Sequence, residues 1–325
     1  MTKENNTLES IGGILEAAES VYIFPHILMD GDAMGSAAAL CRTLRSLGKK
    51  AYILLEDKVP DYLEFLGDGL CTYDRDLIDD PDVCLCIDCG EIGRFPERAE
   101  TFGKGKTKVC IDHHSTSEPF TDYNYIDGSA AATGEIVYRL MKTMDWIVTK
   151  EIAEAIFAAI TTDTGNFQYS NTTRESHEIV LALYDSGMDF NKVSVELYQN
   201  ESMAKFKLES SIMETAQLVA GGLGVIAWVT SEMLDVCNAR IEETEGVVGK
   251  LRSIKGVQIA MLIKENGNDC IKVAMRAKDR GDVAKISLKF GGGGHVKAAG
   301  CTICGSSVAE VRETMTKEIA ENLGI

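Results

Sequence analysis

Eight residues with metal-binding chemistry fall in four short stretches of the first half of the chain. They are His26, Asp30 and Asp32 in "HILMDGDAMGS", Asp88 in "CIDCG", Asp112, His113 and His114 in "DHH", and Asp163 in "TTDTGNF". Five carboxylates crowded into one small volume repel one another and are untenable there without cations. Mixed imidazole and carboxylate donors with no thiolate suit Mn²⁺, Mg²⁺ or Fe²⁺ better than a structural zinc site. Two such cations about 3.5–4 Å apart form a clamp for in-line displacement at phosphorus, with a carboxylate such as Asp88 placed to bridge them. Taken singly, each stretch has a plainer reading. The first reads as a surface loop or helix cap, and Asp163 as a turn or cap residue between a helical run and a glycine. Their recurrence at successive strand ends is what favours a metal centre.

The elements that must position these residues alternate as in a parallel α/β sheet. "VYIFPH" reads as a strand, "SAAALCRTLRSLG" as a helix opened at Gly35–Ser36 and closed by Gly48, and "KAYILL", "VCLCID" and "KVCIDHH" as three further strands. "VCLCID" is apolar on both alternating faces, as a central parallel strand should be. Helical patterns follow in "TGEIVYRLMKTM", "EIAEAIFAAI" and "TRESHEIVLALYDSG", the last carrying His177 on its face. Ligand sites of such sheets lie at the carboxyl ends of the strands, and that is where the acids and histidines cluster. The stretch 191–217 is polar and helix-compatible and is expected to connect a domain at 1–190 to a smaller α/β domain at 218–325. The smaller domain holds the strands "GLGVIAWVT", "GVQIAMLIKE" and "CIKVAMRAK", the run "GGGGHVKAAGCTI" and a closing helix.

A chain of 325 residues, 45% hydrophobic and 26% charged, is composed like an ordinary globular protein. Its net charge of −17 argues against long nucleic acid as the main partner, but leaves room for a short nucleotide held by local groups. No apolar run of membrane-spanning length and no secretory leader pattern appear, so a cytoplasmic location is expected, with no membrane partner. The ten cysteines include "VCLCIDC" (Cys84, Cys86, Cys89) and "CTIC" (Cys301, Cys304). Neither belongs to a paired metal-binding set, so both read as free thiols buried in strands, and no disulfide framework is expected.

With these four motifs in order, the chain resembles the DHH-family phosphoesterases. "AMRAKDRGDVAKISLKFGGGGHVKAAG" resembles their DHH-associated C-terminal domain. Met29 stands where the family usually carries proline. The resemblance implies two divalent cations, foremost Mn²⁺, at a cleft between the domains, and hydrolysis by hydroxide attack. One cation would be held by His26, Asp30 and Asp88, the other by Asp32, Asp88, His113 and Asp163. Asp112 would orient a ligand histidine, and His114 would face the phosphate or leaving oxygen.

The glycine run has two readings, a plain loop or a backbone laid open to phosphate. The resemblance favours the second, assigning Arg276, Gly292, Gly293, Gly294 and His295 to substrate, bound through phosphate or by stacking on a base. Within the family, the two-domain length and "GGGGH" resemble the branch that shortens oligoribonucleotides (nanoRNA) to mononucleotides and dephosphorylates 3′-phosphoadenosine 5′-phosphate (pAp). The alternative is a phosphodiesterase for cyclic-di-AMP or its product pApA. RecJ-like exonucleases and a non-catalytic nucleotide sensor are weaker rivals: the first suits a charge of −17 poorly, and the second would be favoured by a missing ligand. Homodimers recur in the family.

Overall fold

The computed structural model describes residues 5–265, 267 and 269–325. The chain divides into two compact units after Asn200, inside the stretch expected to connect the domains. That stretch is helical on both sides of the division.

The first unit is built on six strands: β1 (Ser20–Phe24), β2 (Lys50–Leu54), β3 (Cys71–Thr72), β4 (Val83–Ile87), β5 (Thr107–Asp112) and β6 (Tyr123–Ile126). All neighbours are parallel, in the order β3-β2-β1-β4-β5-β6. Sequence order reverses between β1 and β4, and a crevice opens at the carboxyl ends of strands at such a switch point. The edge strands β3 and β6 escape sequence reading because they are two and four residues long, too short for a periodic signal. Helices α1 (Leu8–Ala17), α2 (Gly31–Ser46), α3 (Glu64–Gly67), α4 (Ala99–Lys104), α5 (Thr133–Thr143), α6 (Lys150–Asp163), α7 (Arg174–Asp185) and α8 (Phe190–Tyr198) complete the unit.

The main core lies on one sheet face, where Val21, Ile23, Leu85 and Ile87 meet Met34, Leu40, Ile136 and Ile156. On the other face, Cys84, Cys86, Cys89 and Cys110 pack with Tyr22, Phe24, Phe95 and Phe102. These cysteines are buried free thiols, as their strand setting implies. Helix α2 begins at Gly31, four residues before the Gly35–Ser36 start expected from sequence. The cause is the Asp30 side chain, which caps the helix by accepting from the backbone N–H groups of Asp32 and Ala33. A Cβ at Gly35 would sit 2.5 Å from the Ala155 carbonyl oxygen, so this glycine permits the close approach of α2 and α6. Met29, in place of the family's proline, is 2% exposed and joins the core.

The second unit is a mixed sheet in the order β11-β12-β10-β9-β8-β7. Its strands are β7 (Gln217–Val219), β8 (Gly224–Val229), β9 (Ile259–Glu265), β10 (Cys270–Ala277), β11 (Gly293–His295) and β12 (Ala298–Cys304). Only β8 and β9 run parallel. Helices α9 (Met203–Thr215), α10 (Ser231–Cys237) and α11 (Val247–Arg252) cover part of one face. Helices α12 (Val283–Lys289) and α13 (Val308–Leu323) cover the other. The expectation of free thiols throughout fails at one place. Cys304 is disulfide-bonded to Cys270, directly opposite it on the neighbouring antiparallel strand. A cross-strand pair of this kind brings side chains close enough to join, and the partner cysteine lies too far off in sequence to be seen. Among the described residues no helix is long and apolar enough to cross a membrane.

Two buried or half-buried charges tie the first sheet together. Arg98, wholly buried, donates to the carbonyls of Leu54 and Pro25 and to Glu56, fixing the ends of β1 and β2 just before His26. At the opposite end, Asp82 accepts from Lys106, from the backbone N–H groups of Glu19 and Ser20, and from the Ser20 hydroxyl. The Lys106 ammonium, followed by those N–H groups, draws the Asp82 carboxyl down to about 2. Its contribution to stability is therefore complete above the unfolded value near ~4 and is lost as pH falls to the folded value. After allowing for solvent screening, Asp82→Asn should cost about 1 kcal/mol at pH 7. In urea unfolding curves that cost should shrink steadily between pH 4 and pH 2.

Candidate metal centre

The carboxyl ends of β1, β4 and β5 bring the first three motifs together, and the end of α6 adds the fourth. Beyond β1, the loop 25–30 is pinned by two hydrogen bonds: Ile27 N–H donates to the Arg94 carbonyl, and Leu28 N–H to Asp57. His26 Nδ1 lies 2.7 Å from the Ile27 carbonyl oxygen. A carbonyl accepts, so this nitrogen carries the proton and Nε2 presents its lone pair. Nε2 stands 3.6 Å from Asp88 and 3.9 Å from Asp30.

His113 is arranged the same way. Its Nδ1 is 3.2 Å from the Ala130 carbonyl oxygen, and its Nε2 is 3.4 Å from Asp163 and 3.7 Å from both Asp32 and Asp88. Imidazoles held through one nitrogen by a carbonyl, with the other aimed at carboxylates, have the wiring of metal ligands. Three groupings have donor atoms within 4.8 Å of one another: His26, Asp30 and Asp88; Asp32, His113 and Asp163; and Asp88, His113 and His114. The donor set of oxygen and imidazole nitrogen fits hard or borderline divalent cations.

Asp88 lies at the centre of these groupings and is 2% exposed. Its φ of +53° is in the left-handed region, where aspartate and asparagine are tolerated better than most side chains. Its N–H donates to the Ile111 carbonyl, and its carboxylate accepts from the Thr133 hydroxyl at 2.8 Å. Asp32, also buried, accepts from the backbone N–H groups of Thr133 and Gly134 in the first turn of α5 and from Ser36 one turn along α2. A helix N-terminus stabilises an anion placed there.

His114 is wired differently. Its Nδ1 is 2.7 Å from Asp112, and Asp112 also accepts from the Ser117 hydroxyl. Asp112 thus orients His114, while the Ala130 carbonyl orients His113. Asn171 donates to the carbonyls of Ala131 and Asp163, joining the loop beyond α6 to the segment that holds His113. Nothing in the sequence marks Thr133, Gly134, Ser117, Ala130 or Asn171 as site residues, and Ser36 reads there only as the start of a helix. Ser36, four residues after Asp32 on a helix, was the one with a readable spacing.

In the protein alone, the electrostatics are those of a cation site. Burial pushes the Asp32 carboxyl well above its ordinary range, and the charges of Asp88, Asp163 and Asp30 push it further. Burial likewise lifts Asp163 to about 7, with His113 opposing the lift. Burial acts on Asp88 in the same direction, but His26, His113 and His114 outweigh it and hold Asp88 low. Burial would depress His26 and His114, yet facing carboxylates raise both to about 9, Asp88 for His26 and Asp112 for His114. Protons occupy places that cations would take.

Residues 20–160 match the DHH family, N-terminal domain, and residues 235–321 match the DHHA1 domain. The bifunctional oligoribonuclease and PAP phosphatase NrnA of Thermus thermophilus is 30% identical over 315 residues, spanning 96% of this chain and 93% of that protein. This chain belongs to the DHH family. As a DHH-family phosphoesterase it is a metal-dependent hydrolase of phosphoester bonds. A second protein called bifunctional oligoribonuclease and PAP phosphatase NrnA, from Bacillus subtilis, is 26% identical over 291 residues, covering 88% of this DHH-family chain and 90% of its own. A solved structure, an exopolyphosphatase-related protein from Bacteroides fragilis, superimposes with a TM-score of 0.91 at 25% identity, covering 98% and 97% of the two chains.

The second unit carries the remaining sequence-predicted residues. Arg276 lies on β10 and His295 on β11, in one row across the sheet through Ala298 of β12. The glycines divide. A Cβ at Gly292 would meet the Gly300 carbonyl oxygen at 2.3 Å, and one at Gly294, whose φ is +131°, would meet the Ala298 carbonyl oxygen at 2.5 Å. Hairpin packing therefore accounts for Gly292 and Gly294, whereas Gly293 faces open space.

A cation taken up by the candidate ligands His26 and His113 requires Nε2 free of protons, so cation binding to metal-stripped protein should release protons and tighten as pH rises from 6 to 9. Calorimetric titration with Mn²⁺ in buffers of differing ionisation enthalpy measures this. An enthalpy that does not change with buffer would contradict it.

Proposed function

We propose that this DHH-family enzyme hydrolyses short oligoribonucleotides to mononucleotides and removes the 3′-phosphate of pAp, with Mn²⁺ as its working cation. The observation that carries this reading is the pair of imidazoles, His26 and His113, each locked through Nδ1 by a carbonyl and aimed at shared carboxylates around Asp88. Near-full-length likeness to two proteins named for those activities supports the substrate class.

In this reading His26, Asp30 and Asp88 hold one cation, and Asp32, Asp88, His113 and Asp163 hold the other. Cations bound there supply Lewis acidity at the phosphoryl group and an acidified water as nucleophile. The chain's own groups do the positioning. Thr133 and the first turn of α5 turn Asp88 and Asp32 toward the cations and favour their charged forms. Asp112 holds the His114 ring by Nδ1, leaving Nε2 to deliver a proton to the leaving oxygen. On the second unit, Arg276 and His295 bind a substrate phosphate, with Gly293 letting it approach the backbone.

Incubation with Mn²⁺ should release mononucleotides from 5′-phosphorylated RNA a few residues long and phosphate from pAp, and EDTA should abolish both. Absence of turnover on these and on pApA and cyclic-di-AMP would sink the reading. Clear preference for the last two would move it to the alternative. Asp88→Asn keeps a side chain suited to positive φ. It should leave the melting temperature within a few degrees while lowering kcat by roughly 10³-fold or more. His114→Ala should lower kcat by about 10²–10⁴-fold without weakening Mn²⁺ binding.

A further inference from the structure

The face of the second sheet that carries Arg276 and His295 holds another cationic row. Helices α9–α11 cover this face over β8 and β9, through Leu208, Ile212, Val247 and Leu251. Over β10, β12 and β11 its side chains are half-buried or exposed. The registers place Lys264 of β9 directly opposite Lys272 of β10, and Lys272 opposite Thr302 of β12. Two residues along runs a row of small side chains, Ala274, Gly300 and Gly293, and two further along runs the row of Arg276, Ala298 and His295. The sheet thus has two cationic edges with a shallow floor between them, separated by four residues or about 13 Å.

Like charges directly opposite on adjacent strands are unfavourable, and neither lysine's ammonium has a hydrogen-bond or ion-pair partner among the described residues. Lys264 is also half-buried. Burial lowers its pKa, Glu245 opposes the change, and Lys272 and Arg276 add to it. Glu245 and Glu242 act on Lys264 from a distance, and in a chain of net charge −17 two facing lysines with no hydrogen-bonded acid are unusual. An anion lying over them would remove the repulsion. The two rows of the backbone lie farther apart than one phosphate-to-phosphate step along a ribonucleotide chain, and the small floor leaves room for the sugar and base between.

We propose that Lys264 and Lys272 form a second phosphate subsite, which holds a phosphodiester of an oligoribonucleotide at least one linkage beyond the phosphate at Arg276. The subsite rests on the oligonucleotide reading above and deepens it. It serves substrates of three nucleotides or more and is out of reach of pAp.

The test compares wild type with K264Q/K272Q, both loaded with Mn²⁺, on pAp and on the trinucleotide pApApA. At low salt the KM for pApApA should rise about tenfold with kcat unchanged, and its kcat/KM should depend less steeply on salt. Kinetics on pAp should stay within about twofold, which also reports that the variant is folded. K272Q alone, at an exposed position, should move KM in the same direction by less, and K264R/K272R should restore it. No change on pApApA, or equal losses on both substrates, would overturn the subsite. Calorimetric binding of pApApA to metal-stripped protein separates this from the catalytic reading. Lysine-dependent binding without turnover by wild type would keep the subsite and remove the activity. Binding indifferent to the lysines would remove the subsite.

Discussion

Four carboxylates drawn toward two imidazole nitrogens set the terms for the rest of the first unit. Asp30, Asp32, Asp88 and Asp163 come from three separate elements, and without compensation their repulsion would push those elements apart. The fold answers with fixed partial charges. The first turn of α5 points N–H groups at Asp32, the Thr133 hydroxyl meets Asp88, and the first turn of α2 is capped by Asp30 itself. The parallel sheet makes this possible, because a reversal of strand order at β1 and β4 leaves a crevice at their carboxyl ends. Close packing of α2 on α6, which Gly35 permits, then brings Asp163 to the same place.

The parts of this arrangement that sequence reveals are those encoded locally. Strands of five apolar residues, strand-end acids and histidines, and the helix that follows the first motif all carry their signal within a few positions. The start of α2 is hidden because cap and ligand look like alternatives for the first stretch, although Asp30 can do both with its two oxygens. Thr133 and Ala130 were invisible for a different reason. Their roles depend on contacts with residues 17 to 101 positions away, and a threonine or alanine at or just before a helix start has no chemistry of its own to announce. The family resemblance, and no local pattern, gives Asp112 the task of orienting a ligand histidine, and the geometry pairs it instead with His114.

In the second unit the same limits appear in β-structure. Four consecutive glycines suggest an open backbone, yet two of them are required by the hairpin they form with β12. The pairing of Cys270 with Cys304 follows from strand register, a long-range property. Register also creates the facing lysines, since neither Lys264 nor Lys272 stands out in a sequence with many charged residues.

The candidate donors of the metal centre are held by hydrogen bonds within the chain itself. His26 and His113 are fixed by carbonyls, Asp30 by the cap it makes, and Asp32 by three donors. Binding therefore orders little that is not already ordered, and losing the cations need not unravel the chain, in contrast to small domains that fold only around their metal. In a chain that fixes its donors with its own hydrogen bonds, exchange of one divalent cation for another calls for no refolding.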